Sequence, residues 1–248
     1  WVGINYLSPT ANGALMNDKV RQAICYAIDK DAINKSVYDG MGTPTSEYMP
    51  HDYVPTQPST GFTTYEYNPE KAKELLKEAG FENGINLGNI LTYGGPDSPK
   101  GKAAVVFQGN LAAVGITVGV DVREYAAAEA DMYGQNYDVV IFGDSNNYDF
   151  NNIRQQVHSE SVGMYLVRYK DEKSPFNWER LEELVDLGVS TPVLEERLEY
   201  YTELWSIVMD SATIQPLLHK PVGIVWSGDL EIGKPVPNFY KVRTFSWK

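Results

Sequence analysis

Residues 116–142 read ITVGVDVREYAAAEADMYGQNYDVVIF, and this stretch decides the architecture. Ile116, Val118, Val120 and Val122 alternate with Thr117, Gly119, Asp121 and Arg123, the period-two pattern of a strand with one buried face. A helix is expected around Ala126 to Tyr133. Tyr137-Asp138-Val139-Val140-Ile141-Phe142 then forms a short, nearly continuous apolar run. Such a run suits a strand in the interior of a sheet. Strand, helix and strand in succession imply crossover connections, which is α/β construction.

The alternation extends in both directions. Asn68-Pro69-Glu70 starts a helix with a capping side chain followed by proline at the first helical position. Ala72, Leu75, Leu76 and Ala79 form its apolar face, and Gly80 ends it. A strand is expected from Ile85 to Tyr93. Ser98-Pro99 then opens a helix with Ala103, Phe107, Leu111 and Val114 inward, closed by Gly115. Nearer the start, Asn17 or Asp18 caps a helix bearing Val20, Ile24, Ala27 and Ile28 at helical spacing. A short helix from near Asp31 ends toward Gly40, and Thr43 to Thr64 reads as an ordered loop. Further helices start at Asn177 and at Thr191-Pro192, and strands are expected at Ile214–Leu218 and Val222–Trp226.

After Phe142 the pattern breaks into Gly143-Asp144-Ser145-Asn146-Asn147-Tyr148-Asp149-Phe150-Asn151-Asn152. A polar loop just beyond the carboxyl end of a buried strand is where open α/β sheets bind ligands. A solvated loop is the plainer reading of the same residues.

The 248 residues carry 21 Lys and Arg against 33 Asp and Glu, a net charge of -12. So acidic a surface disfavours nucleic acid and anionic lipid headgroups. With 43% hydrophobic and 12% aromatic residues, the chain has the apolar area to form a core. Cys25 stands alone on an apolar helical face, which excludes an internal disulfide and makes it a small core residue. No run approaches the length needed to span a bilayer. The chain opens on Trp1 rather than Met, as expected of a piece of something longer.

His51, His158 and His219 lie far apart and show no metal-binding spacing. There is no GxSxG elbow. Gly95-Pro96-Asp97-Ser98-Pro99-Lys100-Gly101-Lys102 has glycines spaced one residue too far apart for a P-loop, and Ala103 stands where a hydroxyl belongs. Its prolines also lack the N–H groups that would cradle phosphate. Most carboxylates, such as Glu70, Glu74 and Glu78, sit on helix faces beside lysines.

Four segments together resemble the peptide/nickel type, family 5, of ABC-transporter extracellular solute-binding proteins. They are Asn17-Asp18-Lys19-Val20-Arg21-Gln22-Ala23-Ile24 through Ala27-Ile28-Asp29-Lys30, with Lys19 in place of the usual Arg; Tyr67 through Phe81; the strand regions Leu111–Val120 and Tyr137–Phe142; and Ile214-Gln215-Pro216-Leu217. They occur in the family's order over nearly the whole chain. The resemblance implies an α/β, type II periplasmic-binding-protein-like lobe with a mixed sheet flanked by helices. It makes residues 1–210 the second ligand-binding lobe and 211–248 a return segment belonging to the first lobe.

The resemblance also implies a role. The chain would capture a small solute, a peptide first of all, in a clamshell cleft for an ABC permease. A carbohydrate or other non-peptide solute is the alternative, and a carbohydrate hydrolase or a sensor on the same fold lies further off. The expected site comprises Tyr6, Tyr125, Phe142, Gly143, Asp144, Ser145, Asn147 and Tyr148. Peptide binders of the family carry an aspartate in a G-W-x-x-D pattern after the strand that Tyr137–Phe142 matches. Gly143 matches the glycine, Asp144 stands in the tryptophan's place, and Asn147 falls where the aspartate belongs. Either Asp144 or Asn147 is therefore the polar anchor. No catalytic residue, metal or cofactor is expected. The protein is expected to be an extracytoplasmic monomer, periplasmic or lipid-anchored at the cell surface, and not to bind nucleic acid.

Overall fold

A computed structural model describes residues 1–8, 10–52, 54–143, 149–160, 174–175, 177–221, 226–231 and 246–247. The chain opens with β1 (Val2–Ile4), followed by α1 (Asp18–Tyr26), α2 (Lys30–Tyr38) and β2 (Thr43–Pro44). Next come α3 (Pro69–Glu78), β3 (Ile85–Tyr93), α4 (Pro99–Ala113), β4 (Ile116–Arg123), α5 (Tyr125–Tyr133) and β5 (Val139–Ile141). The remainder forms α6 (Arg154–Val157), α7 (Trp178–Ser190), α8 (Leu194–Asp210), β6 (Ile214–Gln215) and β7 (Leu218–His219). Two last short strands, β8 (Leu230–Glu231) and β9 (Ser246–Trp247), pair with each other.

The caps fall where side-chain chemistry puts them. Asn17, Asn68, Ser98 and Asn177 each accept a backbone N–H of the helix that follows. The Asp29 carboxylate accepts Ala32 N at 2.8 Å and starts α2 one residue earlier than expected.

Five strands form one mixed sheet in the order β4-β3-β5-β1-β6. β3 runs parallel to β4 and to β5, while β1 is antiparallel to both β5 and β6. The apolar run Val139–Ile141 thus occupies the centre, where both faces must be apolar. Val139 and Ile141 enter the main core with Ile90 and Phe107. Val140 points the other way, to a smaller cluster with Leu91, Ala128 and Met132 of α5. Helices therefore cover both faces of the sheet, the α/β layering expected from sequence.

Two details depart from the sequence reading. The strand expected over Ile214–Leu218 is divided at Pro216, which has no N–H to donate to a ladder. β6 pairs with β1 in the main sheet, whereas β7 pairs with β2 in a separate two-stranded sheet. The strand expected over Val222–Trp226 falls mostly on residues outside those described, and Trp226 itself is not in a strand.

A register irregularity in β3 between Asn86 and Asn89 frees a backbone N–H, and the buried Asp138 carboxylate accepts it from Asn89 at 3.1 Å. Gly88 is required there, since a Cβ would stand 2.3 Å from Asp138 Oδ2. Ser8 and Thr10 donate their hydroxyls to the other carboxylate oxygen. This polar knot ties the segment after β1 to the bulge.

Candidate ligand cleft

Because β3, β4 and β5 are parallel, their carboxyl ends share one edge of the sheet. The antiparallel β1 begins at that edge and β6 ends there. A cleft of about 360 Å³ opens along it. Its walls come from the ends of β3 and β5, the start of α4, the inner face of α2, residues 45–50 and the β6–β7 connection. The sheet topology alone marks this edge as the ligand side of an open α/β layer.

Aromatic rings gather here. The Tyr93 and Phe142 centroids lie 4.7 Å apart, and Trp1 stands 5.9 Å from Phe142. Tyr125 meets Tyr93 edge-on at 5.0 Å and lies 6.0 Å from Phe142. These separations and tilts are the favourable ones for aromatic pairs. Tyr125, the first residue of α5, remains 47% exposed. Its hydroxyl donates to Glu129 Oε1 at 2.7 Å, and that hydrogen bond is the chief cause of a phenol pKa pushed up to about 12.

Polar groups punctuate the apolar walls, as in most small-molecule sites. Lys100, at the start of α4, holds its ammonium 4.3 Å above the Tyr93 ring centroid. Gly143 lies against the same lysine, for a Cβ there would sit 3.2 Å from Lys100 Cε. His219 also lines the cleft, and among the described residues its buried Nε2 has no hydrogen-bond partner. Burial lowers the His219 pKa against the opposing pull of Glu47, which keeps the imidazole neutral. The Glu47 carboxylate, also on the wall, is engaged by His51 Nδ1 at 2.8 Å.

Three of the expected site residues, Tyr125, Phe142 and Gly143, come together at this edge. Tyr6 does not. Val2 pairs with Ile141 and Ile4 with Val139, so Tyr6 lies past the opposite end of β5 from Phe142. It is 1% exposed and belongs to the main core. The antiparallel direction of β1, which sequence periodicity does not reveal, sends it there. Asp144, Ser145, Asn147 and Tyr148 lie outside the described residues.

The polar stretch can be followed again from Asp149. That carboxylate lies 2.5 Å from Arg197 Nη2 and accepts Asn151 N at 2.9 Å. Sequence reasoning missed Tyr93, Lys100 and His219. Tyr93 ends a parallel strand just as Phe142 does, and the same carboxyl-end rule would have found it. Lys100 stood in a stretch weighed only as a phosphate loop. His219 carried no motif, because its place in the cleft follows from the separate β2–β7 pairing.

The family model described as "Bacterial extracellular solute-binding proteins, family 5 Middle" matches residues 2–157. The chain belongs to this family. The matched span runs from β1 past β5, through most of the sheet that frames the cleft. Among curated relatives, the chain is 29% identical over 229 residues to the dipeptide-binding protein of Escherichia coli K12, covering 89% of the chain and 41% of that protein. It is 30% identical over 211 residues to heme-binding protein A of Haemophilus influenzae, covering 82% of the chain and 36% of that protein. The chain thus spans about two fifths or less of these relatives' length.

The solved structure of HbpA2 from Haemophilus parasuis superposes over 100% of the chain and 47% of its own, with a TM-score of 0.78 and 24% identity. The fold is that of a lobe of type II periplasmic binding proteins. Among the described residues, no helix is long and apolar enough to cross a membrane.

Proposed function

We propose that this chain supplies one wall of the solute site in the binding protein of an ABC importer, and that the solute is a small peptide. The observation that carries the reading is the cleft itself: a concavity lined by aromatic and polar side chains together, on the carboxyl edge of a sheet in a chain of this family. The two relatives, a dipeptide-binding and a heme-binding protein, are by name binding proteins rather than enzymes. In this reading the chain has no catalytic role. The complete protein works as an extracytoplasmic monomer, periplasmic or lipid-anchored, that delivers its solute to membrane-embedded permease subunits.

Residues 1–210 are taken as the second lobe and 211–248 as the return to the first. β6 belongs to the 211–248 segment, yet it pairs with β1 in the main sheet and ends at the cleft edge. The passage to the first lobe then runs beside the ligand, as a closing clamshell requires. Asp144 and Asn147 are the two candidates for the polar anchor beyond Gly143. An aspartate there holds an ammonium through a charge-assisted hydrogen bond, whereas an asparagine suits amides and hydroxyls.

Native mass spectrometry of the complete protein, purified from cells grown in rich medium, tests the reading through the co-purifying solute. A peptide supports it. A sugar keeps the binding role but removes the peptide, and turnover of the bound molecule removes the binding role altogether. In the same protein Asp144→Asn should weaken peptide binding more than tenfold if Asp144 is the anchor. Unchanged affinity transfers that role to Asn147.

A further inference from the structure

The cleft wall formed by residues 45–50 has no hydrogen-bonded ladder of its own. β2 ends at Pro44, and from Thr45 to Pro50 the chain is neither helix nor strand. Thr45, Glu47, Tyr48, Met49 and Pro50 nevertheless line the cleft. A loop that must be ordered at each binding event weakens binding by the entropy it loses. Attachments from outside the segment remove that cost beforehand.

Thr45 and Ser46 carry several of these attachments. Thr45 N donates to Leu217 O at 3.1 Å, and the indole Nε1 of Trp205 donates to Ser46 O at 3.3 Å. Lys30, the first residue of α2, donates from its ammonium to Thr45 O at 2.6 Å and to Ser46 Oγ at 3.3 Å. Thr45 Oγ1 then accepts Glu47 N at 3.0 Å, which passes the constraint to residues that face the cleft. Tyr48 leans on Trp205, with ring centroids 5.8 Å apart. Lys30 is the charged member of this set and does not itself line the cleft.

Folding alone gives no reason for a cation at this place. Both acceptors of the Lys30 ammonium are uncharged, and burial draws its pKa down to about 8. Withdrawing a cation from water without an ion partner costs stability. What the charge gains is strong hydrogen bonds to a carbonyl and a hydroxyl, and both of these belong to the cleft wall. A local choice that costs stability while it fixes the geometry of a site is characteristic of functional constraint.

We propose that Lys30 is a positioning residue of the solute site, which holds the 45–50 wall in its binding conformation through Thr45 and Ser46 without touching the solute. This deepens the solute-binding reading and rests on it for what the wall contacts.

The test compares the complete protein with its Lys30→Met variant at pH 7, with alanyl-alanine as the probe. Calorimetry should show alanyl-alanine bound about tenfold more weakly by the variant. Urea unfolding should place the variant's midpoint at or above that of the wild type, because methionine removes the desolvated charge. Amide hydrogen exchange, read by NMR, supplies a measure that needs no solute. Glu47 N and Met49 N, which donate to Thr45 Oγ1 and Gln57 Oε1, should exchange about tenfold faster in the variant. Ile33 N, bonded to Asp29 O within α2, should keep its wild-type rate. Unchanged exchange at Glu47 and Met49 overturns the proposal, and so does an unchanged affinity for alanyl-alanine. Affinity and stability lost together, with Ile33 exchange also accelerated, would make Lys30 a support of α2 and overturn it too. If the wild type binds no alanyl-alanine, the peptide reading falls. Faster exchange confined to Glu47 and Met49 then still upholds the role of Lys30, and unchanged exchange removes it.

Discussion

Arg197 reaches from α8 to place Nη2 2.5 Å from Asp149 Oδ2, while its Nε donates to Gly188 O of α7 at 2.8 Å. One guanidinium therefore clamps two helices to the residue at which the polar stretch beyond the cleft rejoins the core. Phe150, the next residue, is fully buried and packs on Tyr201 and Trp205. Its backbone N donates to Thr56 Oγ1 at 2.7 Å. The far end of the candidate binding loop is thus fastened by charge, hydrogen bond and aromatic burial together.

Arg197→Met should lower stability by about 1–2 kcal/mol: the partly exposed ion pair contributes at most about 1, and the lost bond to Gly188 O a similar amount. Chemical denaturation of Arg197→Met, Asp149→Asn and the double variant measures the coupling directly. A coupling above about 2 kcal/mol would contradict the solvent discount applied to this pair.

Gly188 makes the second prediction sharper, because it separates packing from helix propensity. It lies inside α7, and a Cβ there would come within 2.2 Å of Tyr201 Cε1 and 2.6 Å of Cζ. In an open helix, alanine would stabilise by up to about 1 kcal/mol over glycine. Here Gly188→Ala should instead destabilise by about 1–3 kcal/mol, since Tyr201 is fully buried and its ring has nowhere to retreat. Pairing it with Tyr201→Leu should make the alanine nearly harmless. A stabilised single variant would show that the α7–α8 contact is looser than the structure describes.

The same contrast between local pattern and tertiary placement explains how far the sequence could be read. The α/β layering and the interior place of the strand at Tyr137–Phe142 were legible because Val139, Val140 and Ile141 are all apolar, and only an interior strand needs both faces so. Helix starts at Asn68 and Ser98 were legible because a capping side chain followed by proline acts locally. Tyr6 was misplaced because the direction of β1 depends on pairing with β5, more than 130 residues away. Lys100 and His219 escaped notice for a related reason. Each lies on an element whose local signal concerns folding alone, and only the assembled edge brings them to one cleft. The family resemblance located that edge, at Phe142 and Gly143, without revealing what faces it.

Arg21 supplies a prediction about the motif helix itself. Its guanidinium is fully buried and donates to Leu15 O at 2.8 Å, Met16 O at 3.0 Å and Ser211 O at 2.9 Å, besides pairing with Asp18. It thereby satisfies carbonyls at the entry to α1 and at the residue that ends α8. Burial lowers its pKa, with Asp18 opposing the shift, yet a guanidinium remains charged throughout the working range. Arg21→Met should cost about 3 kcal/mol or more by leaving buried carbonyls without donors. Arg21→Lys should recover little, because an ammonium lacks the planar fork that reaches three carbonyls at once. Full recovery by lysine, measured by thermal and chemical unfolding, would show that charge rather than geometry is what α1 needs.

Lys30 yields a pH dependence with a definite sign. Its ammonium donates to Thr45 O at 2.6 Å and Ser46 Oγ at 3.3 Å, beneath the 45–50 segment that walls the cleft. Burial, against the pull of Cys25 and Glu66, lowers its pKa from 10.5 to about 8. Below about pH 8 folded and unfolded chains both hold the proton, and the folded one bears the full cost of a buried charge. Above pH 10.5 neither holds it, and that cost is gone. Between these limits the unfolded chain binds more protons, so the contribution of Lys30 to stability rises with pH. The buried Cys25 thiol acts in the opposite sense, because burial raises its pKa from 9.0 to about 12. Stability is then lost above pH 9, where the unfolded thiol ionises first. Lys30→Met retains Cys25, so subtracting its stability from that of the wild type isolates the lysine. The difference, wild type minus variant, should grow by a few kcal/mol between pH 8 and pH 10.5, given about 1.4 kcal/mol for each unit of pKa difference. Urea denaturation of both proteins across that range decides the matter. A flat or falling difference would mean that the Lys30 ammonium is as well solvated in the folded chain as in the unfolded one, and that the 45–50 wall does not rest on a buried charge.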